Sequence, residues 1–198
     1  MSAKKQYKYT GVLPFSINVK TKEIYFLLGQ EAKVPGWSES EKWSDFGGSP
    51  KDEYEDPLIS ASREFYEESM GIFGCESTIR NKLVSVGKPI HLTSSNAVIY
   101  LLPIDYDEEL PKYYNNIYNY LTKCAKDHPK WKGFQYIPSC PEGYYEKIAM
   151  KWITKSELIN VVADPQLGLN YRKSFLPSIN EIIINDFELF FNCFFAIF

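Results

Sequence analysis

Hydrophobic positions recur along this chain first with the two-residue period of strands and later with the wider period of helices. Tyr7 to Val12, Phe15 to Val19 and Glu23 to Leu28 read as short strands, the last two joined by a turn at Lys20 to Lys22. A polar stretch with Gly and Pro, Gln30 to Lys42, leads to Trp43-Ser44-Asp45-Phe46-Gly47-Gly48, which predicts a strand running into a glycine loop. The loop feeds a helix: Asp56 supplies a cap, Pro57 suits the first turn, Leu58, Ala61 and Phe65 fall at helical spacing, and Gly71 stops it. Leu83 to Val86 and Ala97 to Ile104 are strand-like. Asp107 to Lys126 alternates acidic and aromatic residues with a helical period and reads as an insertion. Glu146 to Ile153 predicts a late strand, Lys155 to Val162 a short helix, and Ser174 to Phe191 an amphipathic terminal helix. No internal repeat or low-complexity segment interrupts the series.

The helix after the glycine loop carries the chemistry. Glu64, Glu67 and Glu68 stand at i, i+3 and i+4, so their carboxylates crowd one helical face. Like charges so gathered are reconciled by a cation, and hard carboxylate oxygens suit Mg²⁺ or Mn²⁺. Phe65, with Leu58 and Ala61, points the other way and anchors the helix in the core. A solvated acidic surface would explain a single Glu-Glu pair, but Glu55, Arg63, the preceding glycines and Gly71 coincide with this one.

Gly48-Ser49-Pro50, then Glu55, then Arg63-Glu64-Phe65-Tyr66-Glu67-Glu68, closed by Gly71-Ile72, resembles the Nudix box, with the family spacing intact from Glu55 to Glu68. It departs from the pattern in two places: Ser69 and Met70 both precede Gly71, and Gly48 lies one residue further from Glu55. The resemblance implies an α/β/α Nudix sandwich with a mixed sheet between helices, a single domain over residues 1–198 with an insertion at about Asp105 to Glu142. It implies a hydrolase that cleaves a phosphoric anhydride bond in a nucleoside diphosphate linked to another group, with Glu64, Glu67 and Glu68 binding Mg²⁺ or Mn²⁺. A backbone carbonyl near Gly47 or Gly48 would add a ligand, Arg63 would orient Glu64 or Glu67, and Glu55 would be structural support. Glu146-Lys147-Ile148-Ala149-Met150-Lys151-Trp152 is similar to a stretch of decapping-type Nudix enzymes, which makes Glu146 the candidate general base or fourth carboxylate, with Glu142 in reserve; an exposed strand-edge Glu is the plain alternative. The glycine-loop sequence and the late strand resemble the mRNA-cap hydrolases of large DNA viruses. That likeness implies capped RNA as substrate and, for a viral protein, the host cytoplasm. The alternatives are a small-molecule pyrophosphatase, acting on dinucleoside polyphosphates, diphosphoinositol polyphosphates or nucleotide sugars, and a catalytically silent binding module.

Composition narrows this only at the margins. At 198 residues, 44% of them hydrophobic and 16% aromatic, the chain can bury a core without metals or disulfides. A net charge of -3 supplies no general basic field, so a nucleic-acid partner would have to be met by a local patch. The densest such patch is Lys123 to Lys132, where Trp131 sits between Lys130 and Lys132; a solvated lysine-rich helix end is the commoner explanation. Trp37, Trp43, Trp131 and Tyr136 could stack on a base, although each is more often a packing residue. Cys75, Cys124, Cys140 and Cys193, with only His91 and His128 to join them, lack zinc spacing and read as buried or idle thiols. The N-terminus has no apolar leader region and no run is long enough to span a bilayer, which reads as a cytoplasmic protein. The terminal Phe187, Leu189, Phe190, Phe191, Phe194, Phe195 and Phe198 predict docking onto the core or a homodimer interface.

Overall fold

The computed structural model describes residues 7–18, 20–93, 95–127 and 142–185. Its centre is a seven-stranded sheet: β1 (Tyr9–Ile17), β2 (Ile24–Glu31), β3 (Trp43–Ser44), β4 (Phe46–Gly48), β5 (Lys88–Leu92), β6 (Ala97–Pro103) and β7 (Lys147–Thr154). The helices are α1 (Pro57–Glu68), α2 (Glu76–Ser85), α3 (Leu110–Asp127), α4 (Lys155–Ala163), α5 (Pro165–Gly168) and α6 (Phe175–Asn185), with a 3-10 turn at Glu142–Tyr145 before β7. β1 and β6 run parallel and the other strand pairings are antiparallel, so the sheet is mixed.

Two apolar clusters divide by sheet face. Leu13, Phe15, Phe26 and Ile99 meet α4 and α6 through Leu158, Val161, Phe175 and Ile179. On the other face Val12, Leu27, Val98 and Leu102 meet α1, α2 and α3 through Ala61, Phe65, Ile79, Leu83 and Tyr114. The α/β/α sandwich expected from the sequence is therefore the architecture observed. β6 is buried on both faces, as a strand with parallel pairing between two helical layers must be.

A fork in the sheet makes room for the site. β1 pairs with β2 only from Phe15 to Ile17, and the two strands then part. The gap is filled by the next stretch of chain: β3 pairs with Gly29 and Gln30 of β2, and β4 with Thr10 to Val12 of β1. Pro14 sits at the branch. Because the Phe15 carbonyl accepts from Ile104 on the β6 side, strand alternation turns the Pro14 nitrogen toward the fork, where neither neighbour takes a ladder bond. Hence one strand runs where the sequence suggested two.

α1 lies over the fork. Asp56 accepts from the Leu58 amide at 2.9 Å, and Pro57 occupies the first turn. Phe65 packs edge-on to Phe46 at 5.4 Å and stacks on Phe73 at 4.9 Å; burying it contributes about 2–3 kcal/mol. Thr10 donates to Ser60 at 2.9 Å in the buried space between β1 and the helix. The extra residue before Gly71 is absorbed by two left-handed positions, Met70 at φ 53° and Gly71 at φ 69°, which turn the chain away while the Gly71 amide donates to the Tyr66 carbonyl at 2.9 Å.

One expectation is corrected and one strand was not anticipated. Leu83 to Ser85 ends α2, with Ile79 and Leu83 buried one turn apart; a four-residue stretch with three apolar positions is too short to separate the two periods. β5, with its exposed Pro89 and His91, was not signalled. Of the cysteines, Cys75 is exposed. α3, anticipated as an insertion, packs against β7 and sends the fully buried Tyr114 into the core. No described helix is long and apolar enough to cross a membrane.

Candidate active site

The fork, the C-terminal half of α1 and the turn before β7 line a cleft of about 500 Å³ with Gly48, Ser49, Lys51, Arg63, Glu64, Glu67, Gly143 and Glu146. Helical spacing brings Glu64 and Glu67 to it from α1. Glu146 reaches it from the opposite wall, where the 3-10 turn ends and β7 begins. Two glycines permit the close approach. A Cβ on Gly48 would stand 2.7 Å from the Glu64 carboxyl carbon, and one on Gly143 would stand 2.8 Å from the Glu67 Cβ.

Arg63 organises these carboxylates. Its Nε and Nη2 each donate to Glu55 at 3.2 Å, while Nη1 reaches Glu64 Oε1 at 2.7 Å and Glu67 Oε2 at 3.4 Å. Glu55 also accepts from the Lys51 amide at 2.6 Å, so it braces the loop as well as the arginine. Despite burial, the bonds Arg63 donates to Glu55 and the charge of Glu64 hold its guanidinium above its ordinary pKa. Desolvation raises the Glu64 carboxyl, opposed by Arg63 and reinforced by Glu67 and Glu146. Glu146 is raised first by desolvation and then by Glu31 and Glu67. The cleft thus holds more negative charge than Arg63 neutralises.

The expected residues separate by depth. Glu68 shares the helix face but is buried beneath the cleft floor, where its Oε2 accepts from the Gly47 amide at 2.7 Å. Its Oε1 lies 3.5 Å from Lys147 Nζ. Trp43 packs on the opposite sheet face, with Lys151 Nζ 4.3 Å above its ring, and is not in the cleft. Trp37 is exposed and lies beside Arg172. Lys130, Trp131, Lys132, Tyr136 and the C-terminal phenylalanines lie outside the described residues, as do the side chains of Lys123, Lys126 and Glu142.

The sequence did not single out Lys51, Gly143 or the buried group around Lys147. Gly143, beside Pro141, carried a turn signal; the lysines carried none, since nothing local distinguishes them from surface lysines.

Among the described residues, no three acidic, histidine or cysteine side chains are gathered closely enough to grip one ion as they stand, and Arg63 engages Glu64 and Glu67 instead. The donor set nevertheless fits a hard divalent cation: it is all oxygen, anionic, faces an open cleft, and has raised carboxyls that a cation would relieve.

No family model matches the chain, and no curated protein matches it. Solved structures do. A mutT/nudix family protein from Listeria innocua is 12% identical at a TM-score of 0.45, with 92% of this chain and 95% of that one covered. The NUDIX domain of Shewanella oneidensis NrtR, complexed with ADP ribose, is 14% identical at a TM-score of 0.42, covering 91% and 87%. A C. elegans Ap4A hydrolase is 20% identical at a TM-score of 0.31, covering 50% and 69%. At those scores the functional assignment rests on the residues of the cleft.

Proposed function

We propose that this chain is a Nudix hydrolase that cleaves a phosphoric anhydride bond in a nucleoside diphosphate linked to another group. The observation that carries the reading is the convergence of Glu64, Glu67 and Glu146 from two walls of one cleft, with Arg63 bridging Glu64 to Glu67. Mg²⁺ or Mn²⁺ bound there supplies charge neutralisation on the phosphates and acidifies a water. Glu64 and Glu67 hold the cation, and Arg63 fixes their orientation. Glu146, across the cleft and raised by its surroundings, takes the proton from the attacking water. Lys51, at the mouth, contacts a phosphate oxygen.

Within that class, capped RNA is the substrate we favour, with release of a 7-methylguanosine diphosphate and a 5′-monophosphate RNA. This finer reading is supported by the glycine-loop and late-strand sequences and by the basic run from Lys123 to Lys132. A small nucleotide conjugate is the second reading, favoured by a described cleft lining that contains no aromatic side chain to stack on a base. The test is a mixture of capped RNA, dinucleoside polyphosphates, diphosphoinositol polyphosphates and nucleotide sugars, incubated with Mg²⁺ or Mn²⁺ and resolved by product mass. Capped RNA should be consumed first, and Glu67→Gln should cut turnover by orders of magnitude with the fold intact. If wild-type protein leaves the whole panel untouched, the chain is a binding module and not a hydrolase.

A further inference from the structure

Beneath the cleft floor lies a second layer of charge that the reaction above does not use. Lys147 is fully buried at the start of β7, and its position depends on an irregularity in the sheet. The β2–β7 register shifts between Gln30, which faces Ala149, and Glu31, which faces Lys147. That leaves Ile148 as an extra residue and turns Lys147 to the α1 side of the sheet, because one inserted residue exchanges the faces of a strand. Gly29 clears the path for its stem, since a Cβ there would come within 2.9 Å of the Lys147 Cδ.

The ammonium ends among Glu31, the Ser44 hydroxyl at 2.9 Å and Glu68 Oε1 at 3.5 Å. Glu31 has a further cation of its own, Arg172, at 3.1 Å, so Lys147 is shared between Glu31 and Glu68. The second Glu68 oxygen is occupied by the Gly47 amide at 2.7 Å. The Tyr114 hydroxyl fixes the backbone at both ends, 2.9 Å from the Glu68 carbonyl and 2.8 Å from that of Lys147. With both oxygens engaged, Glu68 does not line the cleft, unlike Glu64 and Glu67 of the same helix.

We infer that Lys147 is a positioning residue that ties Glu68 into the floor as a strut for β4 at Gly47–Gly48, leaving Glu64 and Glu67 to bind the divalent cation with Glu146 free to act as the base. The inference rests on the metal-dependent reading above. A buried ammonium takes the place a divalent ion would otherwise compete for, and the strut holds Gly48 directly under Glu64.

Mn²⁺ binding, followed by electron paramagnetic resonance on the full chain with thermal melts alongside, separates the two. Glu64→Gln should weaken Mn²⁺ about tenfold or more, as loss of a ligand does. Glu68→Gln should lower the melting temperature, because its amide cannot accept at both positions, yet leave Mn²⁺ affinity within about threefold of wild type. Should Glu68→Gln be too unstable, Lys147→Met with Glu68→Met carries the same comparison, since removing a buried pair together is tolerated better than removing either member. Mn²⁺ binding lost in Glu68→Gln, or in the folded double variant, to the extent lost in Glu64→Gln overturns the strut while the hydrolase reading stands. A wild type that binds no Mn²⁺ overturns both.

Discussion

Replacing Gly48 by alanine adds a single methyl group at the most crowded point of the cleft. The new carbon would lie 2.7 Å from the Glu64 carboxyl carbon and Oε1 and 2.8 Å from Oε2, where ordinary contact begins at 3.4 Å. Gly48 pairs with Thr10 in the sheet and has no left-handed backbone, so alanine is acceptable to the main chain and the strain falls on Glu64. The carboxylate must retreat by about 0.7 Å or rotate, which breaks its 2.7 Å bond to Arg63. Because the end of a glutamate is flexible, the stability cost belongs at the low end for overpacking, about 1 kcal/mol, or roughly 2–4 °C in melting temperature at this chain length. The functional cost is larger, since a misplacement approaching 1 Å lowers turnover by about 100-fold, equivalent to about 2.7 kcal/mol of barrier. The assay is metal-dependent turnover of the substrate found by product mass, with circular dichroism to verify the fold and Ser49→Ala, also on the cleft wall, as control. Should Gly48→Ala turn over within about threefold of wild type while Glu64→Gln is inactive, the close contact plays no part in setting Glu64 for catalysis.

Three further outcomes follow from the same geometry. Tyr114→Phe keeps the ring in place but removes the hydroxyl shared by the Glu68 and Lys147 carbonyls, and should cost about 1–2 kcal/mol by urea denaturation; an unchanged midpoint would mean those carbonyls find other donors. Asp56→Ala removes the cap of α1 and should cost about 1 kcal/mol in the same assay, whereas Asp56→Asn should cost little; equal losses in the two would discount the cap. Glu64, Glu146 and Asp45 all have carboxyls raised by burial, so the folded state binds their protons more tightly than the unfolded chain does. Their ionisation therefore costs stability above the ordinary carboxylate range and costs nothing below it. In chelator, the melting temperature should rise as pH is lowered from neutral toward that range. Below it the gain ends, as Glu55, held low by Arg63 and the Lys51 amide, becomes protonated and loses those bonds. Mn²⁺ in the cleft should remove the part of the neutral-pH deficit due to Glu64 and Glu146, leaving that of the buried Asp45, and a melting temperature indifferent to both pH and Mn²⁺ would contradict the account.

Most of the fold was legible because its signals are local. The α1 cap at Asp56, the core face with Ala61 and Phe65 and the stop near Gly71 are properties of one short stretch, and the structure has them. β6, α3, β7 and α4 were likewise visible in their periods. The continuous β1, the helix ending in Leu83 to Ser85 and the strand β5 were not, because parallel pairing, fork position and short apolar runs are decided by distant partners.

The same division runs through the site. Residue spacing alone put Glu64, Glu67 and Glu68 on one face of a helix, since 3.6 residues per turn is fixed by the backbone, whereas the glycines read as a loop, Gly47 and Gly48, are strand β4 because β1 pairs with them. Which of those carboxylates meets the cleft was settled elsewhere: by a fork that lets β4 slide beneath the helix, and by a bulge in β7 that turns Lys147 inward to Glu68 and leaves Glu146 at the rim. Register between strands more than a hundred residues apart has no local signature, and a single inserted residue is enough to exchange what is buried for what is exposed.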